Sequence, residues 1–136
     1  MRTKPALTAE DCKTIAAAAE AEARRKGWAV AIAILDDGAH LLHLHRMDGT
    51  SPHTAEVSQR KARTAALTRQ ATKVSEDRLK NRMGFLSVSG FVPLQGGVPI
   101  TWQGQCVGGI GISGGPTPEV DEQIAAAGLA PFAAQV

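Results

Sequence analysis

Arg46-Met47-Asp48-Gly49 closes an alternating apolar stretch, and Ser51-Pro52-His53 follows it as a helix start, with a serine N-cap and a proline at the first helical position. Arg46, Asp48 and His53 are thus expected to meet where unpaired backbone N–H groups and the helix dipole favour an anion. Farther along the same helix, His53, Arg60 and Thr64 recur at about helical spacing, with Glu56 and Lys61 alongside. Two chemistries fit these residue types. In the first, the cations meet the carboxylates of a flat anionic ligand that lies against a glycine-rich strand, so that Arg46, Lys61, Thr64, Gly97, Gly109, Gly111 and Ser113 form a binding site. In the second, the chain is a cofactor-free isomerase or tautomerase acting on a small carboxylate or carbonyl compound. His53 would then move a proton as general base, oriented by Asp48 or Glu56, while Arg46 and Lys61 bind the anion and Ser113 hydrogen-bonds the developing charge. Taken alone, the charged residues also suit a solvated helix face.

Other motifs fail their context. Gly109-Ile110-Gly111-Ile112-Ser113-Gly114 matches the dinucleotide fingerprint, but the 22 residues after it leave no space for the strand and acidic ribose ligand which that motif needs. Gly111-Ile112-Ser113-Gly114-Gly115 matches a nucleophile elbow, whose histidine must follow the serine, yet the last histidine here is His53. Gly109 and Gly111, two apart on one strand face, instead offer bare backbone to a helix or a ligand. His43 and His45 share a strand face, but no Asp, Glu or Cys nearby has metal-ligand spacing, so no metal site is expected. Residues 60–82 hold eight Lys/Arg against Glu76 and Asp77, a local excess of 8 − 2 = +6 on a chain of net charge +2. Without interleaved aromatics or a recognisable module, that excess does not indicate nucleic acid.

The elements that must position these residues follow from composition and pattern. A chain of 136 residues, 43% apolar and 21% charged, makes one globular domain spanning 1–136. Aromatics are only 4% and Ala and Gly are abundant, so close backbone packing or a subunit interface must supply the core, and a homo-oligomer is expected. Cys12 and Cys106 show no paired spacing and read as free thiols. The first 13 residues lack an apolar stretch and no later window is long enough for a membrane span, so a cytoplasmic protein with no membrane partner is expected.

Thr8 to Asp11 forms a capping box for a first helix that stops at Gly27. Trp28 to Leu35 and Leu41 to Met47 flank an Asp-Asp-Gly turn as a hairpin. The helix from Ser51 carries a small-residue stripe of Ala55, Ser58, Ala62, Ala65 and Ala66, against which a sheet or partner must lie. Residues 74–90 read as a loop or a short extra helix. Three further strands are expected, Phe91 to Leu94, Val98 to Trp102 and Gln105 to Ser113, then a helix from Thr117 that ends at Gly128. The expected fold is α+β, an antiparallel sheet of about five strands flanked by helices, in the order α-β-β-α-β-β-β-α.

Five segments together resemble the GlcG/HbpS family, which includes the C-terminal domain of PduO-type corrinoid adenosyltransferases. They are Leu35-Asp36-Asp37-Gly38, Arg46-Met47-Asp48-Gly49, Lys61-Ala62-Arg63-Thr64-Ala65, Gly96-Gly97-Val98-Pro99-Ile100, and Gly108 to Gly115 followed by Asp121 and Ile124-Ala125. The similarity runs over about residues 7–130. It implies a profilin-like fold, assembly into dimers or higher oligomers and, in some members, binding of haem or a related tetrapyrrole, which makes haem or a corrinoid the candidate ligand. It implies no particular reaction, so function must come from the site itself.

Overall fold

The computed structural model describes residues 1–133. Helix α1 (Ala9–Lys26) opens with the expected capping box: the Asp11 amide donates to Thr8 Oγ1 at 3.0 Å, and the Thr8 amide donates to Asp11 Oδ2 at 2.9 Å. Gly27, in the left-handed region, ends it. Strands β1 (Ala31–Asp36) and β2 (Leu41–Arg46) form the hairpin, followed by α2 (Thr54–Thr68) and α3 (Thr72–Arg78). A 3₁₀ turn spans Met83–Ser87, then come β3 (Gly97–Trp102), β4 (Gln105–Ser113) and α4 (Pro118–Ala133). Among the described residues the sheet has four antiparallel strands in the order β2-β1-β4-β3.

Alternation along the two central strands divides the sheet into two unlike faces. Ile32 and Ile34 of β1 and Ile110 and Ile112 of β4 project to one side, where they form the main core with Ile15 and Ala19 of α1 and Ile124 and Ala125 of α4. Each such isoleucine, fully buried, contributes about 1.5–3 kcal/mol. Ala33 and Leu35 project to the other side, beside Gly109 and Gly111, and α2 lies there on its small residues. The stripe anticipated on this helix therefore meets the sheet. A Cβ on Gly111 would overlap the Ser58 carbonyl oxygen, and one on Gly109 would overlap that of Ala62.

Three expectations need correction. Phe91 to Leu94 is not a fifth strand. The Val92 amide donates to Thr64 Oγ1 at 2.9 Å, Pro93 has no amide hydrogen, and the Leu94 amide turns back to the Val92 carbonyl at 2.9 Å, which leaves nothing for a ladder. Residues 74–90 contain the end of α3 and the 3₁₀ turn, so the order is α-β-β-α-α-β-β-α rather than the one expected. The last helix also runs past Gly128, where a Cβ would stand 3.0 Å from the Ala19 methyl and 3.1 Å from the Ile15 carbonyl oxygen. That glycine lets α1 and α4 cross closely. No helix among the described residues is long and apolar enough to cross a membrane.

Candidate functional site

A cleft of about 560 Å³ opens where the start of α2 faces the β4–α4 loop. Thr50, Ser51, His53 and Thr54 form one wall, Ser113 to Pro118 the opposite one, and Trp28, Leu94 and Gln95 the sides. Its floor holds Lys61 and Asp121. The Lys61 ammonium donates to the Ile112 carbonyl at 2.9 Å and to Asp121 Oδ2 at 3.2 Å, while Asp121 Oδ1 accepts from the Gly115 amide at 2.8 Å. Both side chains are under 10% exposed, 6% for Lys61 and 7% for Asp121. Burial pushes the Asp121 carboxyl above its ordinary range, and the Lys61 charge and the Gly115 amide pull against that rise.

The local sequence explains this arrangement. Gly96, at φ +128°, passes so close that a Cβ would stand 2.8 Å from Lys61 Nζ, so only glycine lets the chain cross over the ammonium. Gly114, at φ +116°, turns the chain out of β4 where a Cβ would meet Thr50 Oγ1 at 2.6 Å. Thr54, buried at the start of α2, donates its hydroxyl to the Ser51 carbonyl at 2.7 Å and fixes the adjoining wall. His53, and not the expected Ser51, occupies the N-cap position of α2, which begins at Thr54 with no side-chain capping bond, and it is exposed at the cleft mouth. Ser113, at the end of β4, is buried on the opposite wall.

The structure thus brings together His53, Lys61 and Ser113. It does not bring Arg46, Asp48 or Glu56 into the cleft. Arg46 ends an edge strand, Asp48 lies in the turn after it, and both are exposed. Glu56, one turn into α2, pairs with Arg60 at 2.8 Å. Thr64 donates to the Arg60 carbonyl at 2.8 Å and accepts from the Val92 amide, so it ties the 91–94 segment to α2. The Gly97 amide donates to Thr72 Oγ1 at 2.8 Å, and the Lys61 carbonyl occupies the position its Cβ would take. Gly97, Gly109 and Gly111 therefore all lie directly beneath α2, and the helix takes the place on that strand face considered for a flat ligand.

Sequence reasoning missed Asp121 as a site residue, along with Thr50, Thr54 and Gln95. Asp121 reads in the sequence as an acid in a helix's first turn, favourable toward the dipole. The available signal was its spacing, three and four residues before Ile124 and Ala125 on the buried face. The remaining histidines lie elsewhere. His45 Nε2 stands 2.8 Å from Glu20 Oε1, a hydrogen bond that holds the Glu20 carboxyl below its ordinary range, and the His40 ring stands 3.2 Å from Asp36. Burial lowers the pKa of His43.

Comparison with known proteins gives consistent results. Residues 7–130 match the family described as haem degrading protein HbpS-like. Protein GlcG of Escherichia coli strain K12 is 45% identical over 114 residues, 83% of this chain and 85% of that protein. A crystal structure of HbpS is similar with a TM-score of 0.93 at 34% identity, over 97% of this chain and 94% of that one. The crystal structure of a PduOC:heme complex gives a TM-score of 0.84 at 27% identity, over 93% of this chain and 94% of that one.

Proposed function

The chain belongs to the haem-degrading HbpS-like family, and on that footing we propose that it binds a small anionic ligand, haem first among the candidates, in the cleft between α2 and the β4–α4 loop. The observation that supports this reading is the placing of one buried cation, Lys61, and one exposed imidazole, His53, on the same cleft. Their chemistry fits the group. Haem needs an axial donor, an apolar wall and a positive charge for its propionates. His53 is the candidate donor, Trp28, Ala29, Leu94, Pro116 and Pro118 give apolar surface, and an ammonium has three N–H groups, of which Lys61 uses two internally, one of them on Asp121; Glu76 is the other acid of the lining. When bound, haem would supply an iron centre for ligand or redox chemistry; the chain holds, orients and partly shields it.

Haem added to the folded protein should give a sharp Soret band, and His53→Ala should remove or shift it without disturbing far-ultraviolet circular dichroism. An unchanged band in the folded variant would place the ligand elsewhere.

The hydroxyl-rich lining of Thr50, Ser51, Thr54, Ser113 and Thr117 supports a second reading, a cofactor-free isomerase or tautomerase. In it Lys61 holds the substrate carboxylate, and Ser113 donates to the oxygen on which charge develops. His53 takes a proton from the carbon beside the carbonyl, leaving an enolate, and returns that proton to the enolate oxygen, so that the keto form becomes the enol with no other reactant. For such an enzyme His53→Ala lowers turnover roughly 10²-fold or more with folding unchanged.

The same reading includes a homo-oligomer. Edge strand β2 exposes Leu41, Leu42 and Leu44, and an uncovered apolar edge favours pairing with another chain. Light scattering should give a mass at least twice the 14.2 kDa of the chain, and a monomer at micromolar concentration would refute it.

A further inference from the structure

A smaller cavity, of about 130 Å³, lies where Pro5, Ala6 and Leu7 lead into α1 and pass Trp102 of β3, Val107 of β4 and Phe132 of α4. None of its residues lines the cleft at the start of α2. Leu7 is seated there because Gly108 leaves room for it: a Cβ on that glycine would stand 2.9 Å from Leu7 Cδ1. The rings of Trp102 and Phe132 lean on each other, with centroids 5.3 Å apart and planes tilted by 49°, and both border the cavity. Among the described residues the one charged side chain of this apolar lining is Asp11. Its Oδ2 accepts from the Thr8 amide at 2.9 Å, whereas its Oδ1 has no partner and no cation pairs with the carboxylate among the described residues. The basic side chains nearest along the chain are turned elsewhere, since Lys4 pairs with Asp37 at 2.6 Å and Lys13 lines a separate recess beside His43 and His45. A half-buried carboxylate beside two aromatic rings makes a space that favours positive charge.

We propose that this cavity binds a small quaternary ammonium ion, with its methyl groups against Leu7, Trp102, Val107 and Phe132 and its charge balanced by Asp11. Size agrees: a protein cavity of about 150 Å³ takes benzene, and tetramethylammonium has fewer heavy atoms. The chemistry of the lining selects among cations. A metal ion such as calcium needs a shell of oxygen ligands that these side chains do not supply. A primary ammonium brings three N–H donors, for which the lining side chains offer acceptors only on Asp11. A quaternary nitrogen has no donor to leave unpaired, and its charge is spread over methyl groups that suit aromatic and aliphatic carbon.

Tetramethylammonium, titrated into the wild-type protein by calorimetry and by NMR of the two indole N–H signals, should bind saturably and move the signal of Trp102 while that of Trp28, in the other cleft, stays in place. The neutral molecule of similar branched shape, tert-butyl alcohol, should bind about tenfold more weakly or less. Trp102→Leu, which keeps apolar bulk and removes the ring, should weaken binding of the cation by a similar factor. Asp11→Asn should do the same, and its amide oxygen can still accept from the Thr8 amide, so the test survives if Trp102→Leu fails to fold. The proposal is overturned by any of four results: no saturation below roughly 10 mM in the folded wild type, equal binding of tert-butyl alcohol, unchanged affinity in folded Asp11→Asn, or a shift of the Trp28 signal in place of that of Trp102.

Discussion

Gly111→Ala should destabilise the protein by at least about 3 kcal/mol and carry ligand binding away with it. The added methyl group would overlap the Ser58 carbonyl oxygen and stand 2.6 Å from the Ala62 amide nitrogen. Both atoms belong to the backbone of α2, so no side-chain rotation relieves the contact; the whole helix must lift from the sheet. Lifting it separates Ala62, Ala65 and Ala66 from β1 and β4 and shifts the wall of the cleft that carries His53. Gly84 is the control, because nothing lies within 4 Å of its Cβ position and Gly84→Ala should stay within about 0.5 kcal/mol of wild type. Urea unfolding of the two variants decides the matter. A Gly111→Ala midpoint close to that of Gly84→Ala would show that the helix accommodates the methyl group, contrary to the close packing described.

The contact behind that result is half legible in the amino-acid sequence. Period-two alternation in β4 sets Gly109 and Gly111 on one face, and period 3.6 in α2 sets Ser58, Ala62 and Ala65 on one stripe; two surfaces that smooth can fit each other. What pattern does not encode is which of the candidate occupants, helix or ligand, takes the place. Local signals serve well where their partners are local, as at the Thr8–Asp11 capping box. They fail where a distant residue competes for the backbone. Thr64 takes the Val92 amide from 28 positions away, so an apolar run that reads as a strand becomes a pinned loop. Gly128 has the sequence appearance of a helix stop, yet it serves as the contact with α1.

The candidate site divides in the same way. Arg46, Asp48 and His53 are neighbours along the chain, and that proximity suggests convergence. The first two instead end an edge strand and its turn, where both are exposed, and only His53 reaches the cleft. Lys61 and Asp121 are 60 positions apart, and no spacing rule joins them. Each can be suspected only as a charge on an otherwise small or apolar stripe, Lys61 beside Ala62 and Ala65, and Asp121 before Ile124 and Ala125.

That pair sets the second large effect. Lys61→Met should cost about 3–5 kcal/mol at neutral pH, because it leaves the Asp121 carboxylate buried with no positive charge against it. The pH dependence gives the test its specificity. Burial already raises the Asp121 carboxyl above its ordinary range in the folded protein, and the Lys61 charge is the largest influence opposing the rise. A carboxyl raised in this way binds its proton more tightly when the chain is folded than when it is unfolded. Its contribution to stability is therefore most favourable at pH values below its ordinary pKa and declines as pH rises through the shifted value. Without Lys61 the shift grows, so the deficit of the variant should be largest near neutrality and should shrink as mildly acidic solution protonates Asp121. Adding Asp121→Asn to Lys61→Met should recover much of the loss at neutral pH, since the amide oxygen can still accept from the Gly115 amide while carrying no charge. Asp121→Asn alone should not match that recovery, because Lys61 then stays buried with only the Ile112 carbonyl to accept from it. Denaturant unfolding of the four proteins across about pH 5–8, from mildly acidic to just above neutral, would exclude this account if the Lys61→Met deficit were absent or the same at every pH.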